Sequence, residues 1–585
     1  MCGINGFNFK DENLINQMMS LTSQRGPDGS KTYIDGKISI SHNRLSIVDL
    51  SKRSDQPFEY ENLILSFNGE IFNYKNLKKD LISKGYKFQT TSDTEVLIKL
   101  FHFHGINAFK KISGIFAISI WDKKKEELYV IRDILGVKPL YYHHNQSHNK
   151  FYFSSSINSL LKCLEKKEIN IEACNRYMNF WYNDFDETFY KNVFKVKPGQ
   201  LLILKKNNLV KKNYLEFSFE RKNFDISNLE KIINKQFISD VPVALSLSGG
   251  VDSNLILNFL NKKVDKFKTY SIRFKNYEKS NQDADIAKKI TEYYKIENEQ
   301  IEVSSFDLFE NLEKIVKILE EPIGNQTSVL NFILSNRVKE KVLFTGDGGD
   351  EIFSGYNKYR SILIFSAISK FNIFNFFKGH SIKNLKRFSF KSSHEFYLSF
   401  SEQNLMDNQE LYFKAFDKVK SNNLNFNYSK NYKNLNLNNV MFHDIEKWIQ
   451  HDALMRNDKI FMNKGIEVRV PFLDQEMIEK FLFLNQYTKI GFLNNIKPYI
   501  QNNFKNELKH VTRKKRGFLS PFSSWIKEDL NNYSKEILSK SYYNSNLLNY
   551  DNIEKLIDGY KKETNNSYLI LTLMKLQIFL RQNNF

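Results

Sequence analysis

Two stretches of this chain place chemically capable residues at informative spacing. The first is Ser246-Leu247-Ser248-Gly249-Gly250-Val251-Asp252-Ser253, between the apolar run Val241 to Leu245 and the run Asn254 to Leu260. A buried strand entering a glycine turn that opens a helix leaves the helix's first N–H groups unpaired, which makes an anion cradle. Gly249 and Gly250 let an oxyanion approach with no Cβ in the way. Ser248 and Ser253 add hydroxyl donors, and Asp252 can hold a divalent cation that bridges phosphate oxygens. A nucleotide's phosphates fit this best. No G-x-x-x-x-G-K-[ST] run occurs, which disfavours a P-loop kinase or GTPase.

The second is the amino end. Cys2 becomes the terminal residue once Met1 is removed, and a terminal thiol carries its own base, an α-amine with a reference pKa of about 8. Polar clusters follow at Arg25 to Gly29, His42 to Leu45, Asn68 to Glu70 and Ser92 to Glu95. An Asn amide beside a Gly N–H, as at Asn68-Gly69, supplies donors for a tetrahedral oxyanion. Glutamine as acyl donor needs a cation for its carboxylate and an anion for its ammonium. Arg44 can fork onto the first, and Glu70 and Asp93 can pair with the second. Taken singly, Asn68-Gly69 is also a good hairpin turn, and Arg44 a surface ion pair.

The elements that must position these groups change along the chain. Ile38 to Ser41, Leu63 to Phe67, Ile115 to Trp121 and Leu128 to Ile131 alternate in the β manner, so the first polar groups belong to the loops of a sheet-rich domain. A strand pair around Pro198 to Leu204 closes it near Tyr214, and the charged stretch Glu216 to Asn228 is the expected connection. Beyond the phosphate loop, strand and helix take turns. Strands are expected at Lys268 to Phe274, Gln300 to Val303 and Val342 to Thr345, with helices at Asp283 to Tyr294 and around Leu308 to Leu319. That pattern implies a parallel sheet with helices on both faces and ligands at the carboxyl ends of its strands. The last strand runs into Gly346-Asp347-Gly348-Gly349-Asp350-Glu351, whose clustered carboxylates call for a cation; Mg²⁺ carried by ATP is the economical candidate.

Length and composition bound the rest. At 585 residues the chain is long enough for about three or four domains, or fewer large ones. With 23 Gly, 9 Pro and no low-complexity linker, it reads as ordered, abutting domains. The most apolar window, Ser361 to Phe377, is broken by Lys370 and Asn372 and reads as a buried helix, so no membrane partner is expected. The amino end lacks the basic and apolar regions of a signal peptide, and Cys2, Cys163 and Cys174 form no C-x-x-C, which points to a reducing cytoplasm. A net charge of +20 raises the question of nucleic acid, but Lys123 to Lys125, Lys205-Lys206 and Lys211-Lys212 are short runs that read as solvated faces.

The strand, the S-G-G-x-D-S loop and the helix resemble the pyrophosphatase loop of ATP-dependent adenylating enzymes. The N-terminal Cys-Gly-Ile, R-G-P-D-G, H-N-R-L, F-N-G-E-I-F-N and S-D-T-E together resemble the class II glutamine amidotransferase domain, an N-terminal nucleophile hydrolase of αββα layers. S-G-G-V-D-S followed by G-D-G-G-D-E-I-F-S-G-Y resembles the synthetase domain of glutamine-dependent asparagine synthetases, and the match continues through Glu321-Pro322, Asp458-Lys459, Glu467 to Asp474 and Arg513 to Pro521. The implied architecture is a glutaminase domain over residues 2–215 and, over 216–585, a doubly wound ATP-pyrophosphatase domain with a helical C-terminal part.

By this resemblance Cys2 attacks the glutamine amide, Asn68 and Gly69 form the oxyanion hole, and Arg44, Glu70 and Asp93 hold the amino acid. Leu247, Ile272, Thr345 and Gly346 contact the adenosine part of ATP, and Asp252 and Asp350 hold Mg²⁺-pyrophosphate. Lys515 neutralises developing phosphate charge, and Asp347 lies beside the adenylate. Arg132 to Tyr142 is expected to be structural, while Glu467 to Asp474 is balanced between a packed turn with an internal ion pair and a ligand contact. The partners implied are small molecules, with a homodimer allowed, and the reaction is amidation of aspartate by way of β-aspartyl-AMP.

The chain departs from the family pattern at Asp347, where the best-known members carry Glu, at Ile323 to Ser328, and at Lys497 to Ile500, which lacks the usual Leu-Arg. The alternatives are amidation of another carboxylate, such as a surface-polysaccharide uronic acid, an RNA-modifying adenylating enzyme, and a binding protein that has lost activity.

Overall fold

The computed structural model describes residues 2–206, 208–218, 225–369, 409–415, 437–490, 497–508, 511, 520–560 and 567–585. Up to residue 213, antiparallel strands form two six-stranded sheets. Gly3–Phe7 lies inside the first sheet, flanked by Ser39–Arg44 and Lys150–Ser154. Leu63–Ile71 lies inside the second, paired with Gly114–Asp122, which pairs in turn with Glu127–Arg132.

Alternation within each strand explains the layers. Ile64 joins Ile4, Ile40, Val130, Phe153 and Leu202 in a core between the two sheets. Its neighbours Leu63 and Leu65 belong to the other core, with Val96, Leu97 and Leu100 of the helix Asp93–His104. Each sheet therefore carries apolar residues on both faces, as a sandwich covered by helices requires. This is the expected αββα arrangement.

Among the described residues the second half holds a five-stranded parallel sheet in the order Asn298–Val303, Lys268–Phe274, Val243–Ser246, Val342–Phe344, Glu467–Arg469. Val243–Ser246 has later strands on both sides, so the chain switches direction at its carboxyl end, where an open α/β sheet forms its ligand crevice. Helices surround this sheet, and the C-terminal helix Ser567–Asn583 is buried from Ser567 to Leu580 except at Tyr568. Among the described residues no helix is long and apolar enough to cross a membrane.

The expected elements return within a few residues: Gln282–Tyr294 and Ser305–Leu319 are helices, and Lys268–Phe274 is the strand foreseen. Of the buried helix expected over Ser361 to Phe377, the part up to Ser369 belongs to the helix Asn357–Ser369, and residues 370–377 lie outside the described residues. Asn68-Gly69 lies within a strand, so the hairpin alternative does not hold. The strand Glu467–Arg469 was not foreseen, because three residues carry no readable period. Lys515, the run Arg513 to Arg516, residues 219–224 of the connection and most of Phe371 to Tyr432 lie outside the described residues.

Candidate active sites

Cys2 precedes the central strand of the first sheet and is only 6% exposed. Its backbone N–H donates to Asn68 Oδ1 at 2.9 Å, which leaves Asn68 Nδ2 buried with no partner among the described residues. A buried amide donor is costly to leave unpaired, so this one is set for an acceptor that arrives with the ligand. Gly69 next to it has φ +150, and an added Cβ would lie 2.0 Å from Ile115 O, so only glycine fits. Burial pushes the Cys2 thiol above its ordinary value, while the Leu45 backbone and the charge of Arg44 pull it back.

Arg44 is buried at the end of the strand Ser39–Arg44. Its Nη1 donates to Ser51 O at 2.8 Å and Asp55 Oδ1 at 2.7 Å, and its Nη2 donates to Asp49 O. The guanidinium is thus held in place by the 49–55 segment. Glu70 and Asp93 are both buried, and the charge of Asp93 bears on Glu70. Burial raises Glu70 well above the ordinary carboxylate range, with Asp93 and Glu467 adding to the rise and Arg469 opposing it. Asp93 is pushed up to about 6, first by burial, although backbone N–H groups such as that of Ile71 stabilise its anion. Two such carboxyls favour a cation between them.

The second site forms at the sheet's switch point. Gly250 caps the helix Val251–Lys263. Ser253 Oγ and Asn254 Nδ2 both donate to Ser248 O, at 3.2 and 2.9 Å, and so staple the glycine turn. A Cβ on Gly249 would press to 3.0 Å from Asp283 Cα, so the turn lies flat on the neighbouring helix. Leu247 is buried, with its N–H donating to Tyr270 O and its carbonyl accepting from Ser271 Oγ. Ile272 is half-buried on the next strand.

Across the crevice Thr345 N–H donates to Arg469 O at 3.0 Å, and Thr345 Oγ1 and Asn457 Nδ2 each donate to Asp347 Oδ2 at 2.7 Å. Gly349 is where the two loops meet, since a Cβ there would lie 2.5 Å from the Asp252 carboxyl. Asp252 and Asp350 converge on the Lys497 ammonium, whose Nζ donates to Asp252 Oδ1 at 2.5 Å and lies 2.6 Å from Asp350 Oδ1. Burial works against charge on Lys497, but the two carboxylates outweigh it and hold the lysine above its ordinary value. Two carboxylates aimed at one point are a donor set that fits a hard divalent cation.

One helix connects the two sites. In Leu454–Met462, Asn457 reaches Asp347, while the next residue, Asp458, accepts from Arg25 Nη1 at 2.7 Å. Arg25 in turn donates through Nε to the carbonyl of Cys2 at 3.2 Å. A second connection runs along the edge strand: Arg469 Nε pairs with Glu467 Oε1 at 2.5 Å, and Arg469 Nη2 lies 3.8 Å from Glu70 Oε1. The internal ion pair is thus the part of the Glu467 to Asp474 reading that the structure displays.

Arg132 and Asp133 are structural. Arg132 donates to the carbonyls of Lys138, Val196 and Gly136, and Asp133 accepts backbone N–H groups of the same turn. Cys174 is buried and Cys163 half-buried, and both are free thiols. The contacts of Arg25, Asn457 and Lys497 escaped sequence reasoning, although Arg25 stands in the R-G-P-D-G motif and Lys497 opens one of the departures from the family pattern.

Comparison with known proteins follows these two sites. A family model described as Glutamine amidotransferase domain matches residues 1–215, and one described as Asparagine synthase matches residues 227–581. The chain is similar to Asparagine synthetase (glutamine-hydrolyzing) 1 of Bacillus subtilis, at 29% identity over 97% of this chain and 93% of the relative. A Putative asparagine synthetase (glutamine-hydrolyzing) 2 of Methanocaldococcus jannaschii is 33% identical over 62% of this chain and 77% of its own length. Amidase chry2 of Gibberella zeae is 27% identical over 59% of this chain and 55% of its own.

Proposed function

The chain belongs to the asparagine synthase family, glutamine-hydrolysing ligases that use ATP, and on that premise we propose that it transfers the amide nitrogen of glutamine to aspartate. The glutaminase part spans residues 2–215 and the synthetase part 216–585. With Met1 removed, the Cys2 thiol attacks the glutamine side-chain amide, and the α-amine takes the thiol proton and passes it to the leaving ammonia. Asn68 Nδ2 and the Gly69 N–H receive the oxyanion. Arg44 holds the substrate carboxylate, Glu70 and Asp93 hold its ammonium, and water then releases glutamate from the thioester.

In the second part the β-carboxylate of aspartate displaces pyrophosphate from the α-phosphate of ATP. Ammonia then attacks the acyl carbon of β-aspartyl-AMP, which gives asparagine and AMP. The turn at Ser248 to Ser253 cradles the phosphates, and Leu247, Ile272, Thr345 and Gly346 border the adenosine. Asp347 lies beside the acyl group, and Lys515 is assigned to the phosphate charge. Mg²⁺, held by Asp252 and Asp350, would neutralise charge on the departing pyrophosphate. Cytoplasmic glutamine, aspartate and ATP are the partners, and a homodimer is compatible with this reading.

The observation that carries the proposal is the helix on which consecutive residues face the two sites, Asn457 toward Asp347 and Asp458 toward Arg25 and Cys2. Free ammonia is mostly protonated at neutral pH, so a route sheltered from water between the two sites would keep it nucleophilic. Replacing Cys2 by Ala is expected to abolish glutamine-dependent AMP formation while ammonia-dependent formation survives. Loss of both activities would reject the coupled reaction.

A second reading keeps the chemistry and changes the acceptor to another carboxylate, such as a uronic acid. What favours it is that the side chains bonded around Asp347 are neutral: Thr345 and Asn457 donate to its carboxylate, and Asn457 accepts in turn from Asn331 Nδ2 at 2.7 Å. Offering aspartate and candidate uronates with ATP and measuring AMP release separates the two.

A further inference from the structure

The reaction as proposed gives Lys497 no task, yet the fold is built around it. The side chain is 1% exposed, and its ammonium sits between Asp252 and Asp350. Its backbone adopts φ 49 and ψ 49, a left-handed conformation that non-glycine residues seldom take. Gly355 makes the room, since an added Cβ would lie 1.7 Å from Asp350 Oδ1 and 2.6 Å from Lys497 Cε.

A Mg²⁺ ion shared by these carboxylates needs oxygens at about 2.1 Å. Any point that close to both lies within about 4.6 Å of an ammonium nitrogen that is itself 2.5 Å from one oxygen and 2.6 Å from the other, so a divalent cation there meets a like charge at short range. Metal and lysine therefore compete for the pair. Magnesium is seldom caged by protein alone; it takes one or two carboxylates together with waters and substrate phosphates. Among the described residues no group of three or more His, Cys, Asp or Glu converges to hold a metal. The remaining ligands come with the polyphosphate, and that polyphosphate is also an anion able to receive the displaced ammonium.

We infer that Lys497 occupies the cation position between Asp252 and Asp350 until Mg²⁺ arrives with a nucleoside triphosphate, whereupon its ammonium moves onto phosphate oxygens. This rests on the reading of Asp252 and Asp350 as the metal pair. Bare metal is refused, metal and nucleotide enter as a unit, and the lysine returns once Mg²⁺-pyrophosphate leaves.

The test uses the full-length protein and Mn²⁺ as the probe, with free Mn²⁺ followed by electron paramagnetic resonance. Titrations are run with and without α,β-methylene-ATP, whose bridge resists cleavage to AMP. Wild type is expected to hold one Mn²⁺ per chain with the analogue and none without it. K497M is expected to bind Mn²⁺ without nucleotide at least about tenfold more tightly than wild type, and D252N added to K497M removes that site. A stoichiometric Mn²⁺ in nucleotide-free wild type that D252N abolishes would overturn the inference, as would K497M gaining none; K497Q repeats the measurement should K497M fail to fold. Wild type that binds no Mn²⁺ even with the analogue would remove the metal-pair reading as well.

Discussion

Asn68 is where a small substitution discriminates best between a chemical and a structural role. Its Oδ1 accepts the Cys2 N–H at 2.9 Å, and its Nδ2 is buried without a partner among the described residues. Removal of one preorganised oxyanion donor costs about 2.7–4 kcal/mol of transition-state stabilisation, or roughly 10²–10³ in kcat. Asn68→Ala removes both amide functions, so it also forfeits the hydrogen bond that positions Cys2, worth about 1 kcal/mol. Asn68→Asp keeps an acceptor for Cys2 and replaces the donor with a like charge beside the oxyanion, so it should be at least as damaging to kcat. The assay is glutamine-dependent against ammonia-dependent AMP formation in the same preparation. Both variants are expected to lose about 10²–10³ of the first, with KM for glutamine little changed and the second intact. Asn68→Ala that keeps more than about a tenth of glutamine-dependent kcat would refute the oxyanion assignment. An equal fall in both activities would show that Asn68 acts through the fold.

Four further outcomes are expected. Asp93, pushed up to about 6 by burial, must be ionised to hold the glutamine ammonium, so KM for glutamine should rise as pH falls through about 6, an inflection that Asp93→Asn removes. The same upward shift means that the stability this carboxyl contributes is full below its ordinary value of about 4 and is lost as pH rises through 6, which denaturation midpoints measured across that range would check. The Arg25–Asp458 pair, 9% and 3% exposed at 2.7 Å, should cost about 3–5 kcal/mol when Arg25 alone becomes Met, and less when Asp458→Asn accompanies it; chemical denaturation of the two variants tests this. Gly355→Ala drives a methyl into Asp350 and Lys497, an overpacking of about 1–3 kcal/mol that should raise KM for ATP roughly 5- to 150-fold while leaving glutaminase activity alone.

The phosphate loop was legible in the sequence because everything it needs is local. An apolar strand, two glycines and a helix start follow one another within a few residues, and the backbone preferences of those residues shape the cradle without help from elsewhere. The same holds for Asn68-Gly69-Glu70, where a strand period and a glycine that only a crowded backbone explains lie in one segment. Cys2 announced itself through its chemistry rather than its surroundings.

The joining of these parts was decided by the tertiary structure. Arg25 and Asp458 are 433 positions apart, and Lys497 is 245 from Asp252. No hydrophobic period or turn signal couples residues at such distances, since which buried charges meet depends on how finished elements pack. The strand Glu467–Arg469 shows the limit: three residues too short to carry a pattern become the edge of a sheet because Val342–Phe344 is there to pair with them. Sequence by itself determined the two chemistries and the elements that bear them; only packing brought them into one enclosed molecule, because local backbone preference acts over a few residues whereas the pairing of buried charge is set by the whole fold.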